Sequence, residues 1–233
     1  MNLYFDIGGT HFRFYLIEIQ NNKINEESIL KNDKNIFTQL DKHLNILQNK
    51  YIIKNIIIAL PGIIKEYCIY GVNNLDIPNG YKLLNNFNNI PIKYINDGDA
   101  FVIGETINTL LTPSNKNILG IIFGTGVGSG LIINGQILFN SEIFPYLENF
   151  MKENYLTNDN IELVTNYIAH ELTKIIKLLN LDYVLINGYV NKFNNFEKLL
   201  NSKVTLNKYY NTKIIVSQYN DSNLVGLKTF NSL

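Results

Sequence analysis

Hydrophobic positions change period several times along the chain, and each change predicts an element. Residues 2–7 and 11–19 are runs rich in aromatic and β-branched side chains, joined at Gly8, Gly9 and Thr10. The second run alternates Phe12, Phe14 and Leu16 with Arg13, Tyr15 and Ile17, as a strand packed on one face does. A third strand is expected near 24–30. A helix is expected near 36–49, where Phe37, Leu40, Leu44 and Leu47 fall at helical spacing. The continuous apolar run NIIIAL (55–60) reads as a central strand that Pro61 and Gly62 end. A short strand over 66–72, a short helix over 80–89, the strand IPIKYI (90–95) and a helix over 98–111 ending before Pro113 complete the first half.

The pattern then restarts. NILGIIFG (117–124), GLIING (130–135) and QILF (136–139) repeat the opening strands. A long helix over 159–179 follows, with Ile161, Val164, Ile168, Leu172, Ile175 and Leu179 on one face. A strand over 182–187, a helix over 191–201, a strand over 213–218 and a helix over 221–231 close the chain. Each half thus reads βββ-α-β-α-β-α, an α/β duplication. Two domains are expected, 1–110 and 111–233, joined near 105–116 with the terminal helix available to pack back on the first. The asparagine-rich stretches reflect a bias of the whole chain and are not read as a disordered insert.

Composition narrows the class. With 46% apolar residues, 15 Tyr and 13 Phe in 233 residues, the chain can bury a sizeable core. Its 20 basic and 20 acidic residues cancel, so nothing in the total points to nucleic acid or a membrane surface as partner. The single cysteine, Cys68, cannot form an internal disulfide, and no CxxC or Cys/His zinc cluster occurs. With no signal-like N-terminal segment and no apolar window long enough to span a bilayer, a cytoplasmic location is expected.

The stretch FGTGVGSG (123–130) holds four glycines behind a strand. A Walker A loop is excluded because no Lys follows, and a dinucleotide loop because the glycines open into a strand and not a helix. What remains is a hairpin whose turn offers backbone N–H groups to anionic oxygens. FDIGGTHFRF (5–14) has the same design with Asp6 at its strand end. One such hairpin could be an ordinary turn using glycine at positive φ. Two at equivalent places in a duplicated unit point to a triphosphate held between them, by Gly8, Gly9 and Thr10 on one side and Gly124, Thr125 and Gly126 on the other. Asp6 would hold hydrated Mg2+.

FDIGGTHFRFYLIE and GIIFGTGVGSGLIINGQIL resemble the two phosphate motifs of the sugar kinase, actin and heat-shock ATPase fold, and more narrowly those of the ROK family of bacterial sugar kinases and repressors. The likeness runs along nearly the whole chain: ALPGII (59–64), the segment 72–105 with YINDGDAFVIGE, LDYVLINGYVNKF (181–193) and SQYNDSNLVGLKTF (217–230) follow in family order. The resemblance implies two ribonuclease H-like, actin-type lobes around a nucleotide and sugar cleft, with ATP and Mg2+ as cofactors. It also implies transfer of phosphate to a hexose or related sugar hydroxyl, with the glucose 6-hydroxyl as the family-level expectation.

By that resemblance Asp97 is the general base and Asn96 contacts the sugar; a carboxylate that accepts the hydroxyl proton is what phosphoryl transfer to an alcohol needs. The plainer reading makes Asp97 or Asp99 a helix cap. The family has Asn where Asp99 stands. Gly62 and Asn74 (or its neighbour Asn73) match the sugar pocket, and Gly188, in Asn187-Gly188-Tyr189, matches a position near the adenosine. Glu105 reads as a structural residue of its helix.

The family's Gly-Glu-x-Gly-His segment and cysteine-rich zinc loop are replaced here by LFNSEIFPYLENFMKEN (138–154), so no zinc is expected. Glu142 matches the first sugar-gripping glutamate. Glu148 is either the second or an exposed residue of an amphipathic helix. His11, His43 and His170 read as structural or solvated, His43 on a surface-type helix. The resemblance therefore leaves three outcomes: a sugar kinase with a slimmer sugar lobe, a nucleotide- or sugar-binding protein without turnover, or a kinase for a non-sugar acceptor. A homodimer is left open.

Overall fold

The computed structural model describes residues 1–32, 35–72, 75–141, 143–206 and 210–232, with the side chains of residues 145, 146 and 148 outside the description. The first half comprises β1 (Asn2–Ile7), β2 (His11–Ile17), β3 (Ile24–Lys31), α1 (Ile36–Lys50), β4 (Asn55–Leu60), β5 (Ile63–Lys65), β6 (Cys68–Tyr70), β7 (Tyr81–Lys82), β8 (Asn86–Phe87), β9 (Ile90–Asn96) and α2 (Asp97–Asn108). The second comprises β10 (Ile118–Phe123), β11 (Val127–Ile133), β12 (Gln136–Leu138), α3 (Pro145–Glu153), α4 (Ile161–Leu179), β13 (Tyr183–Gly188), a 3-10 turn (Tyr189–Lys192), α5 (Phe196–Lys203), β14 (Lys213–Val216) and α6 (Ser222–Ser232).

The duplication is plain in the sheets. The first runs β3-β2-β1-β4-β9-β8 and the second β12-β11-β10-β13-β14, so five strands in each follow the same spatial order. In both, the opening three strands are antiparallel and the next two join in parallel. A small antiparallel sheet, β5-β6-β7, hangs beyond β4.

One predicted element is wrong. The helix expected over 80–89 is instead the short strands β7 and β8. Gly80, Asn88 and Asn89 all take positive φ, and asparagine is among the few side chains that reach that region cheaply. Only Leu83 in this stretch is buried while Leu84 is exposed, so no helical face exists to dock. The helix expected from 191 starts at Phe196, after the 3-10 turn.

Both helices that matter for the site lie between the sheets. On the first sheet, Tyr4, Tyr15, Ile57 and Ile95 pack against Ala100 and Ile103 of α2 and Leu224 and Leu227 of α6. On the second, Ile118, Ile132 and Leu185 pack against Val102 of α2. The outer faces are covered by α1 on one sheet and by α3, α4 and α5 on the other. α2 and α6 cross with backbones in contact: a Cβ at Gly104 would collide with the Ser222 carbonyl, and one at Gly226 with the Ala100 carbonyl. Among the described residues no helix is long and apolar enough to cross a membrane.

Candidate active site

Strand pairing sets the first hairpin. Asp6 on β1 lies opposite Arg13 on β2, and the turn is closed by the Gly8 N–H donating to the His11 carbonyl at 3.0 Å. Asn32 braces the turn twice, through Nδ2 to the Gly8 carbonyl at 2.7 Å and N–H to the Thr10 carbonyl at 3.1 Å. The second turn is closed by the Gly124 N–H donating to the Gly126 carbonyl at 2.9 Å. The hairpins meet tip to tip, with the Thr10 and Thr125 hydroxyls 2.6 Å apart.

Behind these tips lies a cavity of about 400 Å³. Its walls bring together Asp6, Gly8, Gly9 and Thr10 from the first hairpin and Gly124, Thr125 and Gly126 from the second, with Gly62 and Asp97 between. Most of the sequence-predicted site thus converges on one space.

The glycines of FGTGVGSG do not all serve the cavity. A Cβ at Gly130 would stand 2.7 Å from Val102 Cγ1 and collide with the Gly98 carbonyl, so this glycine lets α2 lie against β11. Gly124 differs: it avoids the left-handed region, and a Cβ there would meet nothing within 4 Å. Neither backbone conformation nor protein packing demands glycine at Gly124. Open space at a cavity wall does, if a ligand is to approach the main chain.

Asp6 is 6% exposed. Burial raises its carboxyl above the ordinary range, against an Asn223 Nδ2 hydrogen bond at 2.9 Å and the Arg13 charge, whose Nη1 lies 3.6 Å away. A buried carboxylate so incompletely compensated suits a divalent cation. Among the described residues no three His, Cys, Asp or Glu side chains gather. A cation would therefore rest on Asp6 with water and phosphate oxygens, the usual donor set of Mg2+. The residues fit the group.

Asp97 opens α2, half-buried, with Oδ1 accepting from the Gly98 N–H at 2.9 Å. A Cβ at Gly128 would be tight against Ile122 Cγ2, at 3.0 Å, and in ordinary contact with that Asp97 oxygen, at 3.8 Å. Asn96, expected at the sugar, is 1% exposed and does not line the cavity. Its Oδ1 caps α2 at the Asp99 N–H (3.0 Å) and its Nδ2 donates to the Gly62 carbonyl (2.8 Å). The side chain fixes the position of its neighbour Asp97 and of the Gly62 loop. Gly188, expected beside the adenosine, also lies outside the cavity wall: with φ at +105° a Cβ there would collide with the Phe123 backbone. Its absence of a side chain serves the β10–β13 approach.

Asp99 is fully buried and accepts from the Asn140 N–H at 2.6 Å, while the Asn140 amide pairs with both backbone groups of Ile64. This chain of bonds ties the small sheet to the second lobe. Asn74 and Glu142 lie outside the described residues. Glu148 falls within α3 (Pro145–Glu153), with its side chain outside the description. His43 sits less openly than expected, its ring 5.2 Å from Phe12 and 5.8 Å from Phe14. Glu105 is fully buried and accepts from the Ser222 hydroxyl across the α2–α6 crossing. Arg13 and Asn223, both on the cavity wall, were not foreseen. Counting back from the three-residue turn places Arg13 opposite Asp6; nothing local announces Asn223.

Two copies of one mixed sheet, with paired glycine hairpins and two carboxylates facing a shared cleft, define the two-lobed, actin-type fold. Within that fold the chain belongs to the ROK family, whose model matches residues 3–142. No curated protein matches it by sequence. Among solved structures it is similar to a ROK family glucokinase from Streptomyces griseus in complex with glucose and AMPPNP, at 13% identity and a TM-score of 0.75, over 98% of each chain. It is also similar to a candidate N-acetylmannosamine kinase from Listeria monocytogenes, at 16% identity and a TM-score of 0.79, over 99% of this chain and 98% of that one. A ROK family transcriptional regulator shares the fold too, at 14% identity and a TM-score of 0.72, over 99% of this chain and 77% of the regulator.

Proposed function

We propose that the protein is an ATP-dependent sugar kinase, transferring the terminal phosphoryl group to a hydroxyl of a hexose or related sugar. The observation that carries this reading is Gly124, a cavity-wall glycine that neither its turn nor its packing requires, facing an equivalent hairpin beside a buried acid. In this reading the N–H groups of Gly9, Thr10, Thr125 and Gly126 meet the phosphate oxygens, since those of Gly8 and Gly124 close their own turns. Asp6 would hold Mg2+ through water, which neutralises charge on the phosphates. The Thr10–Thr125 contact would open to admit the polyphosphate.

Asp97 accepts the acceptor's hydroxyl proton while the acceptor oxygen bonds to the terminal phosphorus. The bond from that phosphorus to the bridging oxygen breaks, and ADP leaves with the bridging oxygen. Asn96 caps α2 at the Asp99 N–H, which holds the helix start that carries Asp97. The likeness to a kinase solved with glucose and a nucleotide supports the substrate class, and the shared fold of a regulator defines the rival reading, a binder without turnover.

The test is ADP release from MgATP against a panel of hexoses, amino sugars and small alcohols. Release dependent on a sugar supports the reading. Nucleotide binding without turnover on any acceptor supports the rival, and activity on a non-sugar alone reassigns the acceptor.

A further inference from the structure

The chain carries 20 basic side chains, and reading along it only one of them, Arg13, is an arginine; the rest are lysines. That single guanidinium sits on the wall of the cavity, opposite Asp6 in strand register. We propose that Arg13 contacts the terminal phosphoryl group of the bound nucleotide, an inference that rests on the kinase reading above.

Three observations carry it. First, the guanidinium is poorly engaged: Nη1 is 3.6 Å from Asp6 Oδ2, beyond hydrogen-bond length, and Nε is buried with no partner among the described residues. Asp6 already has a well-placed donor in Asn223 at 2.9 Å, so Arg13 is not needed to satisfy it by hydrogen bonding. Second, the cavity wall holds two carboxylates, Asp6 and Asp97, with Arg13 and the exposed His11 as its basic side chains among the described residues. A triphosphate entering beside two acids needs fixed positive charge at its far end. Third, the planar fork of arginine matches phosphate oxygens two at a time, which a lysine point charge does not. The plainer role, a counter-ion for Asp6 whose stem packs on the sheet, predicts that nucleotide binding does not depend on the guanidinium.

The first experiment uses the wild-type protein. Because the chain has one arginine, an arginine-selective dicarbonyl such as p-hydroxyphenylglyoxal should add once at a guanidinium, read by intact mass. Saturating MgATP should suppress the adduct strongly, MgADP less and AMP not at all. The second compares Arg13→Gln and Arg13→Lys by calorimetric titration and steady-state kinetics. Arg13→Gln should weaken MgATP by about ten- to hundredfold, the range for a lost charge-assisted contact, with MgADP changed much less and kcat lowered. Arg13→Lys should recover only part of the loss. Adduct formation indifferent to MgATP, or equal weakening of ATP and ADP, would overturn the proposal and leave Arg13 as the Asp6 counter-ion. If the wild type binds no nucleotide at all, the kinase reading falls and this inference falls with it; binding and turnover insensitive to Arg13 would remove this inference alone.

Discussion

Two alanine substitutions six residues apart in FGTGVGSG should have opposite effects. In Gly130→Ala the new Cβ would sit 2.7 Å from Val102 Cγ1 and 2.8 Å from the Gly98 carbonyl carbon, with the Gly98 oxygen nearer still. Ordinary carbon contacts are ~3.5–4.0 Å, so β11 or α2 must retreat, and the obstacle is backbone that cannot rotate away. Overpacking of this kind costs about 1–3 kcal/mol, which for a chain of this length lowers the thermal midpoint by about 2–12 °C, at roughly 2–4 °C per kcal/mol. In Gly124→Ala the Cβ meets nothing within 4 Å and the backbone avoids the left-handed region. Stability should stay within about 0.5 kcal/mol. The methyl group would instead occupy ground that a phosphate oxygen needs. Displacing one charge-assisted hydrogen bond, worth about 1.5–3 kcal/mol, weakens MgATP by about ten- to hundredfold. Thermal melts and calorimetric titration of both variants give the answer. A Gly124→Ala protein that melts as low as Gly130→Ala, or binds MgATP as tightly as wild type, would refute the assignment of Gly124 to the ligand.

Asp6→Asn tests the cost of the buried acid. Burial raises the Asp6 carboxyl in the folded chain above its ordinary 3.8, so the folded state holds the proton more tightly and stability falls as pH rises from about 4 through the raised value. The variant should therefore melt higher than wild type at neutral pH, lose that advantage as pH falls towards 4, and lose Mg2+-dependent nucleotide binding throughout. Asn140→Gly keeps the left-handed backbone (φ 62°) but removes both bonds to Ile64, and should cost about 1–2 kcal/mol in denaturant unfolding. Ser222→Ala strips the hydroxyl that the buried Glu105 carboxyl accepts from, and a loss of about 1–3 kcal/mol is expected in the same assay.

What could be read from the sequence and what could not divide along physical lines. Strand runs such as NIIIAL and the long face of α4 are set by local period, and both halves of the duplication were legible from them. The glycine hairpins were legible as hairpins because strand, turn and strand sit within about ten residues of each other. Individual glycines were not, since open space at Gly124 and a crowded helix at Gly130 depend on what packs opposite, which α2 decides from thirty residues away. Gly188, matched in sequence to a position near the adenosine, also makes a close strand approach in the fold, where a Cβ would meet the Phe123 backbone. Asn96, matched in sequence to a sugar contact, caps α2 and donates to the Gly62 carbonyl in the fold, the second a contact that no local pattern announces. The helix expected over 80–89 failed because three residues of the stretch take positive φ. Asn223 reaches Asp6 from 217 residues away, a contact no local pattern encodes.

In the proposed reaction Asp97, at the start of α2 in this cleft, takes the acceptor proton in phosphoryl transfer to a sugar. The most direct test is ADP release from MgATP with the best sugar of the panel, comparing wild type and Asp97→Asn, alongside calorimetric binding of MgATP to both. Wild type should release ADP only with sugar, the variant should fall by about 10²–10⁴-fold, and nucleotide affinity should stay within a few-fold. Turnover that survives Asp97→Asn, with nucleotide still bound, would contradict that role of Asp97.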